Sequence, residues 1–187
     1  MRNKGFTLIE AIVALAIFIA VSSALAQIII VSIQSQTKIV TTQNMFNQAI
    51  FTLDKMGKEI RMAKKDATGN CVGKEGNNFN ATTNNSITFL HYDQEENEIR
   101  CKKYALEDEK IKEYISDDET NGFKDNGVDI TGDTLAFDLL SFKVLGDGLD
   151  DLQPRITIAM KVKNAVIKDQ PSFHLQTTVS QRRLDLY

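Results

Sequence analysis

Tryptophan is absent from this chain, and proline, cysteine and histidine each occur only twice in 187 residues. Each scarcity excludes something. Two cysteines, without a CxxC spacing or a matching histidine pair, do not make a zinc site. His91 and His174 each fall inside a strand-like pattern, where a lone histidine is more often structural or exposed than catalytic. No glycine-rich phosphate loop follows a strand pattern, and no G-x-S-x-G elbow is present. Basic residues show no clustered excess. Once the first 34 residues are set aside with Arg2, Lys4 and Glu10, 20 basic and 24 acidic residues remain, a balance of −4. A nucleic-acid surface would carry the opposite sign. The expectation is a non-enzymatic protein without a nucleic-acid partner.

What the chain does have is concentrated at its start. The leader Met1-Arg2-Asn3-Lys4-Gly5 is short and basic, and Phe6 opens an apolar run that lasts to about Ile33. A single carboxylate, Glu10, interrupts it. A carboxylate at the centre of a bilayer costs on the order of 2.5 kcal/mol or more, so such a residue usually has a partner. An ordinary signal peptide does not account for the segment. Its apolar region would be 7–15 residues followed by a small-x-small site, whereas this run is longer and passes into a polar helix with no turn signal. A plain anchor of about 20 apolar residues fits the length but leaves Glu10 unexplained. Arg2 and Lys4 would keep the N-terminus cytoplasmic, which puts everything after about Ser35 outside the inner membrane.

Lys4-Gly5-Phe6-Thr7-Leu8-Ile9-Glu10 resembles the N-terminal signature of type IV pilins and type II secretion pseudopilins. The resemblance implies cleavage between Gly5 and Phe6 by a prepilin peptidase and N-methylation of Phe6 by the same enzyme. It also implies that Glu10 sets the registry of the subunit in a helical filament. The implied partners are other pilin or pseudopilin subunits, the prepilin peptidase, an inner-membrane assembly platform, and membrane lipid before assembly. The implied location is the inner membrane, then a filament in the periplasm or at the cell surface.

From Gln34 to Lys65 there is no proline and one glycine, Gly57. Ile39, Phe46, Leu53 and Ile60 recur seven apart, with Thr42, Ala49, Met56 and Ala63 forming a second line. Charged residues from Asp54 to Lys65 take the other side. This predicts one apolar stripe on a helix that lies against a sheet. A single helix from Phe6 to about Lys65 would be about 90 Å long; Ser22, Ser23 and Gln27 soften its apolar half. Residues 66–85 read as a loop rich in Gly and Asn. Strand patterns follow at 86–92, 98–106, 110–116, 135–145, 155–163 and 172–182, with an acidic loop over 117–133. In 135–145 the apolar residues are Phe137, Leu139, Leu140, Phe142 and Val144. Strands after a helix, with no βαβ alternation, predict an α+β fold in which antiparallel sheets face the helix stripe. The expected divisions are 1–5 leader, 6–34 membrane and assembly helix, 35–65 amphipathic continuation, and 66–187 extracytoplasmic domain.

Two further features stay open. Cys71 and Cys101 would pair in an oxidising compartment, closing a loop of about 30 residues, worth roughly 3–4 kcal/mol in the chain-entropy model; the alternative is two separate thiols. Asp147, Asp150 and Asp151 are the best oxygen donors for calcium, without EF-hand spacing, and solvated acidic turns are commoner. No other cofactor is expected. A second, more diffuse resemblance rests on the 53–61 segment, the strand from Ile87, and Gln176-Thr177-Thr178-Val179-Ser180-Gln181-Arg182-Arg183. These are similar to J-type minor pseudopilins and related minor pilins. Glu10 separates the chain from K-type tip pseudopilins, and the lack of a C-terminal cysteine pair separates it from many type IVa major pilins. Two other function classes compete. One is a competence or adhesion pilin whose exposed domain binds a ligand such as DNA. The other is a membrane-anchored receptor or enzyme.

Overall fold

In the computed structural model, the residues described are 5–81, 83–93, 97–123, 127–147, 152–166 and 172–182. Helix α1 spans Leu8–Arg61, and eight strands follow among the described residues. Two compact units divide the chain, Met1–Asn44 and Met45–Tyr187.

In the first unit the helix is apolar on every side. Leu8, Ile12, Leu15, Phe18, Val21 and Leu25 are all more than half exposed. The helix is long and apolar enough to cross a membrane, and none of its most apolar window is buried. A helix that is hydrophobic all round needs lipid or other helices about it. Two of its hydroxyls are satisfied within the helix: Ser23 donates to the Ala20 carbonyl at 2.9 Å and Thr37 to Ile33 at 3.0 Å. Neither polar side chain needs an outside partner.

In the second unit the helix becomes one-sided. Met45, Ala49, Thr52, Leu53, Met56, Gly57 and Ile60 are buried, a spacing of three and four. The seven-residue line of the sequence holds for Leu53 and Ile60 but fails at Phe46, which is 43% exposed. An α-helix drifts about 20° per heptad against a seven-residue repeat, so Met45 takes the inward position. Phe46 instead packs edge-on against Phe173, ring centres 5.7 Å apart.

Two antiparallel sheets complete this unit. The first has the order β1 (Phe79–Asn80), β2 (Ser86–Asp93), β3 (Glu98–Glu107), β4 (Lys110–Ile115), β5 (Val128–Asp129). The second has the order β6 (Leu135–Leu145), β7 (Arg155–Asn164), β8 (Phe173–Ser180). The expected α+β layout, a long helix followed by antiparallel sheets, is the one observed. The two shortest strands, β1 and β5, lie in stretches read as loop; two residues carry no periodicity to detect.

The helix stops at Arg61 rather than near Lys65, and tertiary contacts stop it. The last turn tightens, with the Met62 and Ala63 amides bonding to Glu59 and Ile60. The Arg182 amide then donates to the Arg61 carbonyl at 2.8 Å, and Gln181 Nε2 to the Ala63 carbonyl at 2.8 Å. Lys64 turns away to give its amide to the Leu90 carbonyl at 2.9 Å. Orphan carbonyls of a helix end must find donors somewhere, and here Gln181 and Arg182, just past β8, supply them. Gly57 allows the approach of β8: a Cβ there would sit 3.3 Å from Val179 Cγ1.

One strand changes phase. Phe137 pairs with Val162 and Leu139 with Lys161, leaving Asp138 as an extra residue. This bulge turns Leu139 outward, 45% exposed, while Leu140, Phe142 and Phe137 are buried. Asp138 is turned out to Lys161 and Lys163, at 3.3 and 2.6 Å. The strand expected over 135–145 is observed, and the bulge divides its two adjacent leucines between opposite faces.

Candidate functional site

Gly5, Phe6 and Thr7 precede the helix and carry no regular structure. Nothing lies within 4 Å of where a Gly5 Cβ would be, and Phe6 is 79% exposed. The Gly5–Phe6 bond therefore sits in open, non-helical chain, the state a protease needs. Thr7 caps the helix: its carbonyl accepts the Ala11 amide at 3.2 Å. That places Glu10 in the first turn, at the third helical position. Thr7-x-x-Glu10 has the spacing of a capping box, a signal present in the sequence that the reading of Glu10 as an intruder overlooked. The Thr7 hydroxyl lies 3.5 Å from Glu10 Oε2. A carboxylate at a helix N-terminus gains roughly 0.3–1 kcal/mol from the aligned peptide dipoles. That is less than the cost of carrying it into lipid. Local capping therefore explains why a carboxylate is tolerated at the end of the helix, not why it should enter an apolar setting. Among the described residues no cation pairs with Glu10.

Cys71 and Cys101 form a disulfide, Cα atoms 5.5 Å apart. It joins the 66–78 loop to β3 and anchors a satellite core with Val72 and Leu90. The same loop is organised by Asp66, which the sequence did not single out. Asp66 Oδ1 accepts the amides of Thr68 and Gly69, and Oδ2 those of Cys71 and Val72, at 2.8–3.1 Å. Burial pushes this carboxyl's pKa up, but the bonds from Val72, Cys71, Thr68 and Gly69 outweigh it and hold it below the ordinary value.

The calcium candidates do not assemble into a described site. Asp147 Oδ1 accepts the Asn78 amide at 2.8 Å, while Asp150 and Asp151 lie outside the described residues. Among the described residues no group of three metal-ligating side chains converges. His91, in β2, has a buried Nδ1 without a hydrogen-bond partner. Burial, then Lys102, lower its pKa, partly opposed by Glu59. His174 lies exposed in β8, with no contact to His91 to make a catalytic pair.

The sequence also missed a charged clasp between the helix and the first sheet. Lys102, with a side chain 6% exposed, lies 2.7 Å from Glu59 Oε2 and 2.5 Å from Glu113 Oε1. Lys55 reaches Glu113 Oε2 at 2.6 Å. The Tyr104 hydroxyl donates to Glu59, and to Glu113 at 3.3 Å. Burial and the two carboxylates push the Tyr104 pKa far up, so it remains a donor. For Glu113, burial raises the pKa, but Lys102 and Lys55 win and hold it below the usual range. The arrangement has donors matched to acceptors. Its chemistry is that of a fastener.

The N-terminal segment combines an exposed apolar helix with open, non-helical chain at Gly5 and Phe6. Residues 1–26 match the family model described as the prokaryotic N-terminal methylation motif. The chain carries the N-terminal motif of the type IV pilin and pseudopilin family. No curated protein and no solved structure matches the chain significantly. The motif implies processing by a prepilin peptidase and assembly with other pilin subunits. With the single apolar helix, it fits an inner-membrane anchored pilin.

Proposed function

We propose that this protein is a structural, non-catalytic minor subunit of a type II secretion pseudopilus or type IV pilus. It is made as a prepilin, cut between Gly5 and Phe6, methylated on the Phe6 amine, and assembled through α1. One observation carries the reading: the methylation motif over residues 1–26 heads a helix whose apolar surface is exposed on all sides. The step is burial. The apolar helix leaves lipid for a bundle of like helices, delivered by an inner-membrane assembly platform. Hydrophobic transfer cannot drive helix from lipid to helix, because both are apolar. Packing and polar contacts must decide it. Glu10 supplies the polar contact by meeting the positively charged terminal amine that cleavage creates on a neighbouring subunit. The similarity of the 176–183 segment to J-type minor pseudopilins supports placing it in that group.

Intact mass and N-terminal sequencing of the protein purified from its own membranes test the reading. The expected chain begins at N-methyl-Phe6. A chain that keeps Met1–Gly5 in cells with an active prepilin peptidase refutes it. Gly5→Leu, which puts a bulky side chain at the scissile position, is expected to leave the leader attached.

A further inference from the structure

At the end of the helix, within the second unit, lies a cleft of about 550 Å³ lined by Arg61, Met62, Ala63, Lys64, Tyr92 and Arg182. Three of these six residues are cationic, in a chain whose net charge is −3. Several cations of the unit are matched: Arg100 with Asp93 and Glu98, Lys102 with Glu59 and Glu113, Lys163 with Asp138 and Glu109. Arg61, Lys64 and Arg182 have no carboxylate within ion-pair range among the described residues. Their backbones are fixed. The Arg182 amide donates to the Arg61 carbonyl at 2.8 Å, so the two arginines that line the cleft are backbone neighbours. The Lys64 amide is bound to Leu90, and its ammonium lies 4.6 Å from the centre of the Tyr92 ring. The ring offsets part of one charge. It does nothing for the two arginines.

Like charges held together on a rigid frame repel unless an anion joins them. We infer that this cleft binds a phosphate-bearing ligand carrying at least two negative charges. A carboxylate brings a single charge and suits one fork. A phosphate ester brings about −1.5 to −2 and three acceptor oxygens, and each guanidinium presents a planar fork that fits two of them. Lys64 adds a point charge, and the Tyr92 ring adds a flat wall. Nothing in this inference rests on the N-terminal motif, and processing at Gly5 leaves it unaffected.

The test is calorimetric titration of the full-length protein, in zwitterionic detergent micelles, with inorganic pyrophosphate and, at equal ionic strength, citrate. Saturable pyrophosphate binding is expected, weakened by salt and several-fold tighter than that of citrate. Arg61→Gln and Arg182→Gln should each weaken it about tenfold, and Lys64→Gln by less. Lys143→Gln, on β6 away from the cleft, should change nothing. Absence of saturable binding, equal binding of citrate, or full affinity in the Arg61→Gln/Arg182→Gln double variant overturns the proposal. Should that double variant fail to fold, Arg61→Lys/Arg182→Lys keeps the charge and removes both forks. An intermediate affinity then supports the assignment, and an unchanged one refutes it.

Discussion

Carboxylates meet opposite circumstances in the two units. In the second, Glu59 and Glu113 share the Lys102 ammonium and the Tyr104 hydroxyl, and Asp66 collects four backbone amides. Each of these three carboxylates has its donors inside the same chain. In the first, Glu10 stands beside apolar side chains on an exposed helix, with one distant hydroxyl for company. A folded domain closes its own polar accounts; a segment built for assembly leaves one group open. The contrast separates what the chain completes alone from what must come from outside.

Breaking the open group should have the largest effect. Glu10→Ala is expected to leave the protein processed and membrane-bound, because the substitution makes the helix more apolar. Its incorporation into sheared filaments should fall by tenfold or more, since removing one member of a buried charge pair costs about 3–5 kcal/mol. Immunoblotting of membrane and filament fractions measures both. Normal incorporation would leave Glu10 with only its capping role.

Breaking a closed group should show in stability instead. Lys102→Met leaves Glu59 without a cation and Glu113 with Lys55 alone, and should lower unfolding free energy by about 3–5 kcal/mol, read by urea denaturation of the detergent-solubilised chain. Membrane insertion should not change. Replacing Lys102, Glu59 and Glu113 together with apolar residues of similar volume should recover much of that loss, because the penalty belongs to the unpaired charge.

Acid sharpens the same comparison to a smaller degree. Asp66 and Glu113 are both held below the ordinary carboxylate range. Their contribution is therefore fully present above that range and is lost as pH falls through it and beyond. Urea midpoints from about pH 6 to about pH 3 should decline, and Asp66→Asn should flatten the decline by removing one of the two groups.

These differences also mark what the residues disclose and what they conceal. The first unit was legible because its signals are local: a glycine, an aromatic, a glutamate and a long apolar run in fixed order. Strands β2, β3, β4, β7 and β8 were legible because alternation is written along the chain, as in Ile156, Ile158, Met160 and Val162. The clasp was not. Lys55, Glu59, Lys102 and Glu113 read as ordinary surface charges, and only the pairing of β3 with β4 and the seat of the helix bring them together. Asp66 looked like a loop residue because its partners are backbone amides, which leave no trace in residue type. The end of the helix was misplaced for a similar reason: its caps come from Gln181 and Arg182, more than a hundred positions away.

The finest distinction lies in β6, where two adjacent leucines look equivalent in sequence. The extra residue Asp138 puts Leu140 in the core and Leu139 at the surface. Leu140→Ala should therefore cost about 2–5 kcal/mol through lost burial and the cavity left behind. Leu139→Thr should stay within about 0.5 kcal/mol, since an exposed position favours a β-branched residue and loses little packing. The bulge itself is held by Lys161 and Lys163 on Asp138. Deleting Asp138 removes the extra residue and joins Phe137 to Leu139, so Leu139 stays opposite Lys161 and Leu140 opposite Met160; the deletion should leave the two costs in the same order. Urea denaturation of both leucine variants, with and without the deletion, checks this. A larger cost at Leu139 than at Leu140 in the intact chain would mean that β6 keeps the plain two-residue period through Asp138.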